Sequence, residues 1–201
     1  LFPSVLAALA GIAVEARGAQ PQQAPEVVVS ATRFETPLNA LAINASVITA
    51  DDIARSTARN LPDLLRSRAG ITSRDLFGNN GASATVDIRG FGAAASQNTL
   101  ILVDGRRVTD IDLTSVQWSA IPLASIERVE ILRGTGAVLY GDGASSGVIN
   151  IVTRSPVKDG YTVEAWGRLG TFSTKEGQIY GSIASGSFGM NASVYGYSSD
   201  G

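Results

Sequence analysis

IERVEILRGTGAVLYGDGASSGVINIVTR, residues 126–154, is the stretch whose reading decides the fold. Two apolar runs, Ile126 to Leu132 and Val148 to Thr153, read as buried strands, and Gly134, Gly136, Gly141, Gly143 and Gly147 lie between and at the edge of them. Gly143-Ala144-Ser145-Ser146-Gly147 spells G-x-S-x-G, the nucleophile elbow of many hydrolases. A serine nucleophile of that kind needs a histidine base, and the chain has no histidine. The alternative Ser-Lys pairing has only Lys158 and Lys175 to draw on, both in polar, turn-like contexts. Gly136 to Gly141 has the spacing of a phosphate loop, but Asp142 stands where the lysine would be, and its carboxylate repels phosphate. The glycines therefore serve backbone geometry, permitting positive φ and close strand approach. A bulky residue at Gly141 or Gly147 is expected to compromise folding, and the G-x-S-x-G is a coincidence of spelling.

Composition narrows the function classes. The 201 residues are 44% hydrophobic and 17% charged, with net charge -2 and no cysteine. No basic cluster offers a footprint for nucleic acid. Zinc sites and cysteine catalysis are excluded with the histidines and cysteines, and no cofactor or enzymatic activity is expected.

Outward from the opening stretch, the pattern is that of a small α+β domain. Thr49 with Asp52 makes a capping-box start for ADDIARS, and Asn60 caps LPDLLRSR, with Pro62 and Asp63 in its first turn and Gly70 as its stop. These short amphipathic helices need a sheet to lie on. Its strands are expected at Ala84–Arg89, Leu100–Val103, Arg106–Val108, Ile126–Leu132 and Val148–Thr153, with Asp104-Gly105 as a hairpin turn. Residues 37–155 thus form one compact mixed domain.

The flanks differ. Val5–Val14 is an apolar run of signal-peptide length, too short for a bilayer span of about 20 residues. Residues 1–19 read as the remnant of a signal peptide, and 20–36 as a polar linker carrying the β-branched stretch Glu26-Val27-Val28-Val29-Ser30-Ala31. From residue 160 the texture is strict period two. Tyr161, Val163, Ala165 and Leu169 fall on one face and Thr162, Glu164, Trp166 and Arg168 on the other, and the alternation returns in QIYGSIAS and MNASVYGYS. Strands of about 10 residues with one apolar and one polar face are what a transmembrane barrel requires, although a soluble sandwich alternates similarly.

Taken together, EVVVSATRFETP (26–37), NLPDLLRSRAGI (60–71), VDIRGFG (86–92), LILVDGRRV (100–108) and the opening stretch resemble the TonB-dependent outer-membrane receptors of Gram-negative bacteria. One departure is Thr135, where family members often carry proline. The resemblance implies an α+β plug domain, a mixed small sheet with short helices, followed by the first antiparallel strands of a transmembrane β-barrel of about 22 strands. Such a barrel needs over about 200 residues of strand. Forty-one residues follow Gly160, so the expectation is an N-terminal fragment that forms no pore alone.

The resemblance also implies the roles. Glu26–Ala31 would be the TonB box, gripped by TonB with its ExbB and ExbD energising complex. An extended peptide on a Pro/Gln-rich leash suits strand addition to a partner's sheet edge. Arg89 and Arg133, with Glu127, Arg128 and Glu130 as an internal charged network, would lock plug to barrel wall. The outward loops 75–83 (Phe77, Asn79, Asn80) and 92–98 (Ser96, Gln97, Asn98) would meet the solute. The implied activity is energy-coupled uptake of a scarce, bulky solute such as an iron siderophore, haem, cobalamin or another metal chelate across the outer membrane, with lipid around the barrel. A signal-transducing receptor and a soluble periplasmic binding module are the alternatives.

Overall fold

A computed structural model describes residues 27–28, 36–37, 44–75, 81, 83–108, 116–134, 140–141, 143–156 and 160–200. Its elements run β1 (Val27–Val28), β2 (Thr36–Pro37), β3 (Ala45–Ile48), α1 (Ala50–Arg55), α2 (Leu61–Arg66), β4 (Ile71–Arg74), β5 (Thr85–Ile88), α3 (Ala95–Asn98), β6 (Thr99–Val103), β7 (Arg106–Arg107), β8 (Ile126–Arg133), β9 (Gly147–Thr153), β10 (Gly160–Leu169), β11 (Lys175–Ser185) and β12 (Phe188–Ser198).

The two apolar runs of the opening stretch become neighbouring strands. β8 and β9 pair antiparallel at the centre of a five-stranded sheet of order β3-β8-β9-β6-β7, in which only β6 and β9 run parallel. Close approach of β8 and β9 depends on Gly147, because a Cβ there would fall on the Leu132 carbonyl oxygen and lie 3.0 Å from Ile88 Cδ1. The β6–β7 turn is the expected hairpin, with Asp104 and Gly105 both at positive φ (49° and 76°).

Both helices start where their caps predict. Thr49 and Asp52 exchange side-chain-to-backbone hydrogen bonds of 3.2 Å each, and Asn60 Oδ1 accepts from the Asp63 N–H at 2.9 Å. Leu61, Leu64 and Leu65 of α2 are buried against Ile48, Ile88, Val129, Ile131 and Ile149 on one face of the sheet. Val47, Leu100, Leu102, Leu132 and Val148 form a smaller cluster with Ala144 on the other. Trp118 closes the larger cluster and donates its indole N–H to the Ala84 carbonyl at 2.6 Å.

Three expectations are corrected. The strand at 84–89 does not join the main sheet: β5 pairs only with β4, in a separate two-stranded ribbon. The polar ITSR of β4 carries too little apolar pattern to announce a strand by itself, and it is held by its pairing partner. β3, an edge strand of the main sheet, has no counterpart among the expected strands. Residues 92–98 are not a loop but a 3-10 turn, Gly92–Ala94, running into α3. Their Ala, Ser, Gln and Asn side chains lack an amphipathic stripe and so resemble loop composition.

β10, β11 and β12 form a second, antiparallel sheet that is inside out for a soluble protein. Register places Tyr161, Ile183 and Met190 side by side on one face, then Val163, Gly181 and Ala192, then Ala165, Ile179 and Val194. These apolar side chains are exposed, Tyr161 at 82% and Leu169 at 83%. The opposite face carries Thr162, Ser182 and Asn191, then Glu164, Tyr180 and Ser193, then Trp166, Gln178 and Tyr195, then Arg168, Glu176 and Tyr197. There Glu176, Gln178, Tyr180 and Ser182 are buried. The polar face turns toward the first domain, with β11 packed on the short 3-10 turn Leu123–Ser125.

Candidate functional site

No group of three or more metal-ligating side chains occurs among the described residues, and no helix there is long and apolar enough to cross a membrane. The chemistry lies instead in how arginines are presented and where the two sheets meet.

Arg89 sits in a turn that the chain works to hold. Arg89, Gly90 and Gly92 all have positive φ, and for arginine the left-handed value of 71° is strained. The carboxylate of Asp87, buried at the end of β5, accepts from the Phe91 N–H at 3.0 Å and the Gly92 N–H at 2.6 Å, closing the turn. The Arg89 guanidinium is carried beside Gly134, 3.6 Å from where a Cβ on that glycine would stand. Arg133 ends β8 at the same place, donating to Ser46 Oγ at 2.9 Å and to the Ala69 carbonyl at 3.1 Å. Burial first, and the charge of Arg68 second, press the Arg133 pKa below its usual value. Arg68 is itself held by Asp52 at 3.1 Å. Among the described residues no carboxylate pairs with Arg89 or Arg133.

Glu127, Arg128 and Glu130 form a different cluster. Arg128 bridges Glu127 at 2.8 Å and Glu130 at 3.0 Å, and Glu130, fully buried, also accepts from Asn150 Nδ2 at 3.2 Å. The five residues expected to act together are thus divided. Arg89, exposed, and Arg133, half-buried, lie at one end of β8, while in the other cluster one arginine bridges two carboxylates.

The expected solute-facing residues are also divided. Phe77, Asn79 and Asn80 lie outside the described residues. A cavity of about 220 Å³ is lined by Arg59, Asn60, Asp63, Arg66, Ser73 and Asp75. Ser96, Gln97 and Asn98 belong to α3, and Asn98 is used internally, donating to the Ala94 carbonyl and accepting from Ser145 Oγ at 2.5 Å. Ser146 is buried between the Asn98 carbonyl and Thr99 Oγ1. The serines of the G-x-S-x-G thus pin α3 to the β8–β9 connection.

Of the residues 26–31, Glu26, Val29, Ser30 and Ala31 lie outside the described residues, as do residues 1–19. Val27 and Val28 form β1, whose backbone pairs antiparallel with β2, Val27 opposite Pro37 and Val28 opposite Thr36.

Sequence reasoning passed over Arg154, the last residue of the opening stretch. Its Nη1 donates to both oxygens of Glu164 at 2.8 Å, joining the first domain to β10. The signal was available, since a cation closing a buried strand is followed ten residues on by a carboxylate on the polar face of a period-two strand. Asn150, a polar residue inside the apolar VINIVT, marked the buried partner of Glu130 in the same way.

The comparisons with known proteins agree in direction. The model for the TonB-dependent Receptor Plug Domain matches residues 37–148. Over 188 residues the chain is 36% identical to the vitamin B12 transporter BtuB of Vibrio cholerae, covering 93% of this chain and 30% of that protein. Over 180 residues it is 33% identical to a ferric enterobactin receptor of Pseudomonas aeruginosa, covering 83% of this chain and 23% of that one. The solved siderophore receptor PirA from Pseudomonas aeruginosa superposes with a TM-score of 0.58 at 30% identity, over 80% of this chain and 28% of PirA. The chain spans three tenths or less of the length of these relatives.

Proposed function

This chain belongs to the TonB-dependent receptor plug family, and from that premise we propose that it is the gate and first wall segment of an energy-coupled outer-membrane importer. The observation that carries the proposal is the inverted sheet. An antiparallel sheet with Tyr161, Val163, Leu169, Ile179, Met190 and Val194 exposed and Glu176, Gln178 and Ser182 buried is unfavourable in water on both counts. It becomes favourable when the exposed face meets lipid and the polar face meets a hydrated plug. From Tyr161 to Leu169 the apolar face runs about 26 Å at roughly 3.3 Å per residue, close to the height of an outer-membrane apolar band.

Within that reading the domain of residues 37–155 fills the barrel lumen. Solute binds from outside and biases the plug toward a state in which Val27–Val28 leaves β2 and the segment 26–31 is offered to TonB. Strand addition then lets backbone hydrogen bonds carry the pull supplied through ExbB and ExbD. Arg89 and Arg133 hold the plug through carboxylates of the barrel wall, an attachment that water can replace at modest cost when the pull arrives. The solute is a bulky metal complex, a cobalamin or ferric siderophore, as carried by the proteins this chain is similar to. Growth of a deletion strain and its parent with cyanocobalamin or ferric enterobactin as sole source tests the reading. The parent alone should grow on one of them, and equal growth of the two strains on both would sink it.

A further inference from the structure

Among the described residues Arg154 ties plug to wall through several contacts at once, and these differ in kind from those of Arg89 and Arg133. Arg154 is held from the plug side by its own N–H, which donates to the Ser125 carbonyl at 2.8 Å, and by Nε, which donates to the Ile126 carbonyl at 3.3 Å. From the wall side, each of the three strands supplies one contact. Glu164 of β10 accepts at both oxygens, the ring of Tyr180 of β11 lies 5.2 Å from the guanidinium carbon, and Asn191 of β12 donates Nδ2 to the Arg154 carbonyl at 2.6 Å. A planar fork that reaches a carboxylate, a ring and a strand carbonyl at once is a task for arginine rather than lysine.

We propose that this seat is the fixed point of the plug: it stays closed through the transport cycle while the plug lets go elsewhere. The inference rests on the plug-and-wall reading above. Glu164 lies only ten residues along the chain from Arg154, so closing this ion pair costs little chain entropy, and a pair that opens in passing re-forms at high effective concentration. The sheet topology points the same way. β9, which leads into Arg154, is a seven-residue interior strand flanked by β8 and β6, whereas β3, nearest in sequence to the segment that is pulled, is a four-residue edge strand paired only with β8. Force entering near Val28 meets the edge first and the Arg154 seat last.

The test uses the whole receptor in its own outer membrane. These 201 residues contain no cysteine, and in a receptor with any cysteine elsewhere replaced by serine, Pro156→Cys with Gly189→Cys introduces a single pair. A Cβ on Gly189 would stand 2.8 Å from Pro156 Cβ, within about 1 Å of disulfide range. With radiolabelled cyanocobalamin or ferric enterobactin as probe, the oxidised pair is expected to take up solute as fast as the reduced pair. Loss of uptake on oxidation, restored by reductant, would overturn the proposal. Arg154→Ala is expected to loosen the plug without energisation, admitting vancomycin in cells with or without TonB, and Arg154→Lys is expected not to restore the barrier. If Arg154→Ala cells exclude vancomycin like the parent, the seat is not an anchor. A parent that takes up neither probe would tell against the transport reading itself, leaving the antibiotic measurement to decide on the seat.

Discussion

Replacing Gly147 by alanine should unseat the centre of the plug sheet. The added Cβ would fall on the Leu132 carbonyl oxygen, with Ile88 Cδ1 at 3.0 Å and the Arg133 Cα at 3.5 Å. Two of these three neighbours are backbone of the paired strand, so no rotamer change relieves them, and β8 and β9 must part. Overpacking of this kind costs about 1–3 kcal/mol. Disturbing the pairing of Gly147 with Arg133 on one side and Thr99 on the other adds about 1 kcal/mol for each ladder bond weakened. The sum is about 3–5 kcal/mol, a fall of roughly 10–20 °C in the melting temperature of a unit of this size. Gly141→Ala is the control. Among the described residues nothing lies within 4 Å of its Cβ, so the left-handed φ of 73° carries the penalty, at about 1–2 kcal/mol. Trp118, buried in the plug core, reports the transition in a thermal fluorescence scan of receptors in which the other tryptophans, Trp166 among them, are replaced by phenylalanine. A Gly147→Ala plug that melts with its parent, or one that outlasts Gly141→Ala, would refute the reasoning.

Other outcomes follow from the same geometry. Glu130→Ala leaves Arg128 without its buried partner and the Asn150 amide without an acceptor, which should cost about 3 kcal/mol in denaturant unfolding; Glu130→Gln should cost less. Val28→Pro removes a backbone donor from the segment proposed as the TonB box, so uptake should be lost while solute binding to isolated outer membranes is retained; uptake at the parental rate would contradict the assignment. The hydrogen bond from the Thr49 N–H holds the Asp52 carboxyl below its usual pKa; burial, the next largest effect, opposes it, and the charge of Arg68 with the side-chain bonds of Thr49 and Arg68 adds smaller lowering. Its stabilisation of α1 is therefore present above about pH 4, the unfolded value, and lost as pH falls through the lower folded one. Asp52→Asn should flatten that acid limb of the stability curve, and an unchanged limb would show that the cap contributes nothing.

Legibility in the sequence followed the range of the interactions. Elements defined by neighbours a few residues apart were readable: the Thr49–Asp52 box, the Asn60 cap, the Asp104–Gly105 turn and the period-two strands after residue 160. The β8–β9 unit was readable because two apolar runs and the glycines between them lie within 29 residues of continuous motif. What escaped was set by contacts across the chain. β4 is a strand because β5 lies beside it, and nothing within Ile71–Arg74 demands it. Arg68 reaches Arg133 only after α2 has packed on the sheet, and Asp87 closes the Arg89 turn with two hydrogen bonds that composition does not announce. Family resemblance pointed to Arg89 and Arg133, and it read Glu127, Arg128 and Glu130 as an internal charged network, which is the arrangement in which Arg128 bridges the two carboxylates.

The central claim, that solute entry is driven through this plug by TonB, is tested most directly by initial uptake of labelled solute into cells carrying the receptor, with and without a functional TonB. The account predicts that binding to the cell surface is equal in the two strains while accumulation occurs only where TonB is present. Equal accumulation in both would contradict it.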